Sequence, residues 1–140
     1  MSPAYANGVI DAGPAVASDT EKPLALIVDD SPFLALQLAR LVEAHGYRTH
    51  VPADASELRA LAAGAVVIFV ELELFHACGF EVTRELAANY SCPLVLLTGS
   101  GRTTDRQWGL RAGARVVLPR PVDADALAKV LHSLDGAGHS

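Results

Sequence analysis

Four short apolar runs in this chain each end on polar side chains: Leu24–Val28 on Asp29 and Asp30, Val66–Val70 on Glu71, Pro93–Leu97 on Thr98, and Val116–Leu118 just short of Arg120. Runs of this length, separated by helix-like segments, read as buried parallel strands. Parallel strands share one direction, so their C-terminal ends line a single edge of the sheet, where open α/β folds form a crevice. Asp29, Asp30, Glu71, Thr98 and Arg120 are therefore expected to meet in that crevice although they lie far apart along the chain.

The segments between the runs carry helix signals. Ser31-Pro32 is a hydroxyl N-cap followed by a first-turn proline. Phe33, Leu34, Leu38, Leu41 and Val42 then recur at helical spacing up to Gly46. Tyr47–Val51, more polar, reads as a short edge strand. A helix over 54–63 follows, with Leu58 and Leu61 turned inward. Phe80–Asn89, Thr104–Ala112 and a last segment capped by Asp123, with Leu127, Val130, Leu131 and Leu134 in one stripe, complete the pattern. Five β-then-α units with right-handed crossovers imply a doubly wound five-stranded parallel sheet with helices on both faces.

A chain of 140 residues is one domain by length, and 51% hydrophobic with 19% charged residues is globular. The net charge of −5 speaks against a nucleic-acid partner, which needs a basic face. No apolar run reaches membrane-spanning length, and the start MSPAYANGVIDAG has neither the basic nor the apolar part of a secretory signal. A cytoplasmic protein is expected. Cys78 and Cys92 lack metal-ligand spacing and read as reduced thiols, Cys78 lying beside a helix N-terminus that favours a thiolate. His45, His50, His76, His132 and His139 show no ligand spacing either. Residues 1–22 read as a flexible leader, 23–135 as the folded domain and 136–140 as a tail.

Leu-Ile-Val-Asp-Asp-Ser-Pro (26–32), the helix start Gly79-Phe80-Glu81-Val82, Leu97-Thr98, Ala112-Gly113-Ala114 and Arg120-Pro121, in this order and spacing, resemble the receiver domain of two-component response regulators over about residues 23–135. The resemblance implies a flavodoxin-like (βα)5 fold. It also implies an acidic pair (here Asp29 and Asp30) that holds Mg2+ through oxygen ligands, an aspartate at the third strand end that takes a phosphoryl group from a histidine kinase, and a hydroxyl (here Thr98) and a lysine that grip it. A cis Arg120–Pro121 peptide belongs to the same pattern.

The departures carry the functional expectation. Counting back from Gly79, the phosphoacceptor position is Glu71, with Glu73 a poorer fit; Arg120 stands in place of the lysine; the aromatic switch position falls on Val117; and Phe75 stands where proline is frequent. Together they imply a pseudo-receiver, a stand-alone signalling module that is not an enzyme. It would bind a protein without phosphorylation, the partner being a histidine kinase, another regulator or a signalling effector, with a homodimer as a further outcome. Arg120 is expected to pair with Glu71, or with Asp29 or Asp30, and to neutralise the crevice, which would otherwise raise one carboxyl pKa. No cofactor is required, although Asp29, Asp30 and Glu71 remain the candidate Mg2+ ligands. Trp108, with Arg111 beside it, is either a core residue or an interface anchor, and the resemblance assigns docking to the face of the fourth helix, fifth strand and fifth helix. Two readings stand beside this one: a phosphorylatable regulator, and a small-ligand sensor at the same strand edge. The acidic Asp29-Asp30-Ser31-Pro32 turn, which would repel phosphates, speaks against a nucleotide.

Overall fold

The computed structural model describes residues 21–138. The strands are β1 (Leu24–Val28), β2 (Arg48–His50), β3 (Ala65–Glu71), β4 (Leu94–Thr98) and β5 (Val116–Pro119). The helices are α1 (Pro32–Glu43), α2 (Ala55–Ala62), α3 (Gly79–Asn89), α4 (Thr103–Ala112) and α5 (Ala124–Gly138). All the strands are parallel, in the order β2-β1-β3-β4-β5. The order reverses between β1 and β3, and a crevice opens at such a switch point, outside the C-terminal strand ends.

Strand side chains alternate between faces, which splits the core in two. Ala25, Ile27, Val67, Phe69, Val95 and Leu97 pack with Ala35, Leu38 and Val42 of α1 and Leu127, Leu131 and Leu134 of α5. Leu24, Leu26, Ile68, Val70, Leu94 and Leu96 face Leu58 and Ala62 of α2 and Leu86 of α3. Burying both faces is why β1, β3 and β4 are almost wholly apolar. The helix ends follow their signals. Ser31 Oγ accepts from the Leu34 N–H at 3.3 Å, and Asp123 Oδ2 accepts from the Ala126 N–H at 2.9 Å. Gly46 takes φ +91° where the chain reverses after α1, a conformation that disfavours a side chain.

Several boundaries differ from the sequence expectation. The edge strand is Arg48–His50 rather than 47–51, because Tyr47 is buried in the α1/α5 core. Val66 is 42% exposed despite lying in the central strand. The register passes from Leu24↔Ala65 to Ala25↔Val67, so Val66 is a bulge residue without a partner on β1. The last helix runs to Gly138, so the segment expected as a tail from 136 begins inside it. Residues 1–20 of the expected leader, and 139–140, lie outside the described residues.

Candidate functional site

Three of the five strand-end residues meet as one ion-paired group. Arg120, following β5, donates from Nε to Glu71 Oε1 at 2.6 Å and from Nη2 to Asp29 Oδ2 at 2.6 Å. The three side chains are 12%, 7% and 3% exposed. The planar guanidinium reaches the two carboxylates through separate nitrogens held in a fixed fork, whereas a lysine ammonium would have to serve both from a single nitrogen. Each carboxylate also has a backbone donor: the Glu73 N–H to Glu71 Oε2 at 3.0 Å, and the Ser31 N–H to Asp29 Oδ1 at 2.9 Å. The Arg120 N–H in turn donates to the Thr98 carbonyl at 2.8 Å, anchoring the base of the arginine to β4. The Arg120–Pro121 peptide is cis.

Of the partners open to Arg120, then, Glu71 and Asp29 are taken and Asp30 is not. Asp30 is exposed, and its Oδ2 accepts instead from the Phe75 N–H, tying the β3–α3 loop to the end of β1. Thr98 is buried, but its hydroxyl belongs to the β4–α4 loop: Oγ1 accepts from the Ser100 N–H at 3.1 Å and donates to Ser100 Oγ at 3.2 Å. Ser100 Oγ continues to Asp105, which Arg102 also contacts. Val117 is buried beneath α4, where Gly109 lies so close that a Cβ there would come within 2.7 Å of Val117 Cγ2 and 2.8 Å of Leu96 Cδ2. Trp108 is 54% exposed, so the core reading for it does not hold; the Arg111 guanidinium lies 5.7 Å from its ring centroid. Cys78 is the exposed N-cap residue of α3.

Among the described residues no group of three or more His, Cys, Asp or Glu is placed to hold an ion; in this structure Asp29 and Glu71 face Arg120 instead. The reason is steric and electrostatic. A guanidinium occupies the space between two of the would-be ligands, and a backbone N–H takes up the third. Mg2+ would need that space for its tight octahedral shell.

Asp29 is pushed above the ordinary carboxylate value of 3.8, chiefly by burial; the Ser31 N–H and Arg120 pull it back, while Glu71 and Asp30 add smaller upward shifts. Arg120, expected to offset the repulsion that would otherwise raise one carboxyl, does pull Asp29 down, but desolvation outweighs it. With its value raised on folding, Asp29 contributes most to stability below 3.8, and that contribution is lost as pH climbs through the raised value. Asp29→Asn keeps an acceptor for Ser31 and leaves Arg120 balanced by Glu71. The variant is expected to melt higher than wild type at pH 7, with the gain vanishing as pH falls below 3.8. A lower melting temperature across the whole range would contradict this.

Gly79, read in the sequence as part of the helix-start motif, also carries a steric constraint that the motif does not state. A Cβ there would sit 2.5 Å from the Glu71 carbonyl oxygen and 2.5 Å from Leu72 Cα. The Gly79 N–H also donates to the Leu72 carbonyl at 3.0 Å. The start of α3 thus presses directly on the backbone that carries Glu71. Because the obstacles are backbone atoms, Gly79→Ala is expected to destabilise the fold by about 1–3 kcal/mol, the usual range for overpacking. Denaturant unfolding measures it, and a wild-type midpoint would show that the loop yields freely.

A parallel five-stranded α/β domain of this strand order, with an acidic cluster at its switch point, is the architecture of a signalling receiver. The response regulator receiver domain model matches residues 25–132, and the chain belongs to that family. It is 32% identical over 114 residues to Protein PilH of Pseudomonas aeruginosa, covering 78% of this chain and 94% of PilH. It is 32% identical over 107 residues to Protein PetR of Rhodobacter capsulatus, covering 75% of this chain but only 45% of PetR, so it spans less than half of that longer relative. Among solved structures, the chemotaxis protein CheY4 of Vibrio cholerae superposes with a TM-score of 0.70 at 25% identity, covering 81% of this chain and 98% of CheY4. No helix among the described residues is long and apolar enough to cross a membrane.

Proposed function

We propose that this receiver is held in one conformational state and signals by binding another protein, without passing through a phosphorylated form. The observation that carries the reading is the Arg120 bridge between Glu71 and Asp29. A nucleophile at Glu71 would stand one methylene further out than an aspartate, and a displacement of about 1 Å can cost on the order of 10²-fold in rate. Glu71 would also have to leave Arg120 and the Glu73 N–H before reacting. Val117 has no ring to turn between positions, and it lies packed against α4.

The match to nearly all of PilH supports a single-receiver regulator. Its partner is a histidine kinase or a signalling effector in the cytoplasm, and no catalytic step or bound metal is assigned to the chain. A second reading, a phosphorylatable regulator, is favoured only by the retention of Asp29, Asp30 and Thr98. Incubation with acetyl phosphate and Mg2+, followed by intact mass measurement, separates the two. The mass is expected to stay unchanged, and a labile gain of one phosphoryl group would overturn the proposal.

A further inference from the structure

The ion-paired crevice lies at the C-terminal ends of the strands, and a second concavity lies at their N-terminal ends. It is an open hollow of about 690 Å³. Every strand start contributes to it: Pro23 before β1, Tyr47 before β2, Ala65 and Val66 in β3, Pro93 before β4 and Arg115 before β5. Ala63 at the end of α2 and Tyr90 at the end of α3 complete the walls. Small-molecule sites span roughly 300–1,000 Å³, so the hollow has the right size for one.

The hollow exists because its lining is small and one side chain is turned outward. Ala62 and Ala65 are buried beneath it with Tyr47 and Leu134, and alanine leaves space that a larger residue would fill. The bulge in β3 turns Val66 out at 42% exposure, and Val66 belongs to neither half of the core. Cys92 adds a half-buried thiol, which burial pushes above its ordinary value of 9.0 and so keeps neutral. Arg115 is the one charged side chain on the lining. Its backbone N–H donates to the Leu94 carbonyl at 2.7 Å, which fixes it against β4. Among the described residues no carboxylate lies within ion-pair distance of its guanidinium. The C-terminal turns of α2 and α3 also border the hollow, but their partial negative charge fades within a turn and is smaller than the full charge of Arg115.

We infer that this hollow binds a small apolar carboxylate, its acid group on Arg115 and its hydrocarbon body against Val66, Ala65 and Cys92. A permanent cation at the rim of an apolar wall is complementary to such a molecule. The site is separate from the Arg120 bridge and stands whether or not the crevice takes a phosphoryl group. A second copy of the chain fits less well, since a two-fold contact centred here sets hollow against hollow and arginine against arginine. A nucleic acid needs several cations, and the lining holds one.

The test is an amide NMR titration of the full chain with 4-phenylbutyrate and with octanoate, each beside its primary amide. Both acids are expected to give saturable shifts at Ala63, Val66, Cys92 and Arg115 at millimolar concentration, while Asp29, Glu71 and Arg120 stay unmoved. The amides should bind less well and lack the salt dependence that the acids show. Val66→Glu and Arg115→Glu change exposed positions and should melt as wild type does, yet bind the acids at least about tenfold more weakly, because each sets a like charge against the carboxylate. In Cys78→Ser, which leaves Cys92 as the one thiol, bound acid should slow alkylation of Cys92. No saturable shift with either acid, equal binding of the amides, shifts centred on the crevice, unchanged binding to folded variants, or Val66-dependent self-association in place of binding would each overturn the inference.

Discussion

Arg120→Ala is expected to lower the stability of the domain by about 3–5 kcal/mol at neutral pH, the range for removing one partner of a buried ion pair. The guanidinium is 12% exposed and holds carboxylates that are 3% and 7% exposed, so its loss strands two negative charges side by side in a place water barely reaches. The pair can shed charge by holding a proton, so the deficit should shrink as pH falls. Mg2+ should act differently on the two proteins. In the variant, the space vacated between Asp29 and Glu71, with Asp30 at its rim, offers oxygen ligands to a hard cation. Where free Mg2+ exceeds its dissociation constant about a hundredfold, linkage restores about 2.7 kcal/mol. Wild type should melt at the same temperature with and without Mg2+. Thermal unfolding of both proteins with and without millimolar Mg2+ checks each part. A variant as stable as wild type and indifferent to Mg2+ would mean that the bridge contributes nothing to the fold.

The sheet and the composition of its crevice were legible because they depend on one-dimensional signals. Buried strands must be apolar on both faces, and the polar residue that ends each run marks the edge where the chain leaves the sheet. Val66 shows the limit: a one-residue bulge shifts parity locally, and nothing in Ala65–Val70 announces it. Within the crevice, the residue types were readable but their pairing was not. The Thr98 hydroxyl bonds locally, to the Ser100 N–H two residues on, a contact that hydroxyl side chains readily make and that no strand pattern announces. Asp30 was taken by the N–H of Phe75, 45 positions away in a loop whose path no periodicity encodes. Gly79 was legible as a motif residue but its reason was not, because its constraint is the approach of two backbones. For α4 a signal was present: its core-facing positions hold Gly109 and Ala112, too small for a buried stripe, which implied that Trp108 lies outside.

The double variant Glu71→Asp, Arg120→Lys is expected to become phosphorylatable, a gain of at least about 10²-fold in labelling by acetyl phosphate with Mg2+ over wild type. Shortening residue 71 draws the carboxylate back toward the end of β3 and away from the reach of residue 120. Lysine at 120 carries one compact ammonium where arginine carries a fork, so the two-nitrogen clamp that Arg120 makes on residues 71 and 29 through Nε and Nη2 is replaced by contacts from a single, more mobile nitrogen. With the clamp loosened, Asp29 is released to join Asp30 in taking a divalent cation, and the ammonium is free to meet the phosphoryl oxygens. Each single variant should fall short: Glu71→Asp leaves the guanidinium in the crevice, and Arg120→Lys leaves the nucleophile a methylene too far out. Val117 remains in both, so labelling is expected without a matching change in binding at α4, because no ring turns beneath Gly109. Intact mass and Trp108 emission read the two outcomes separately. A double variant that stays unlabelled while folding as wild type does would show that Glu71 and Arg120 are not what silences the site, and that the obstacle lies elsewhere in the crevice.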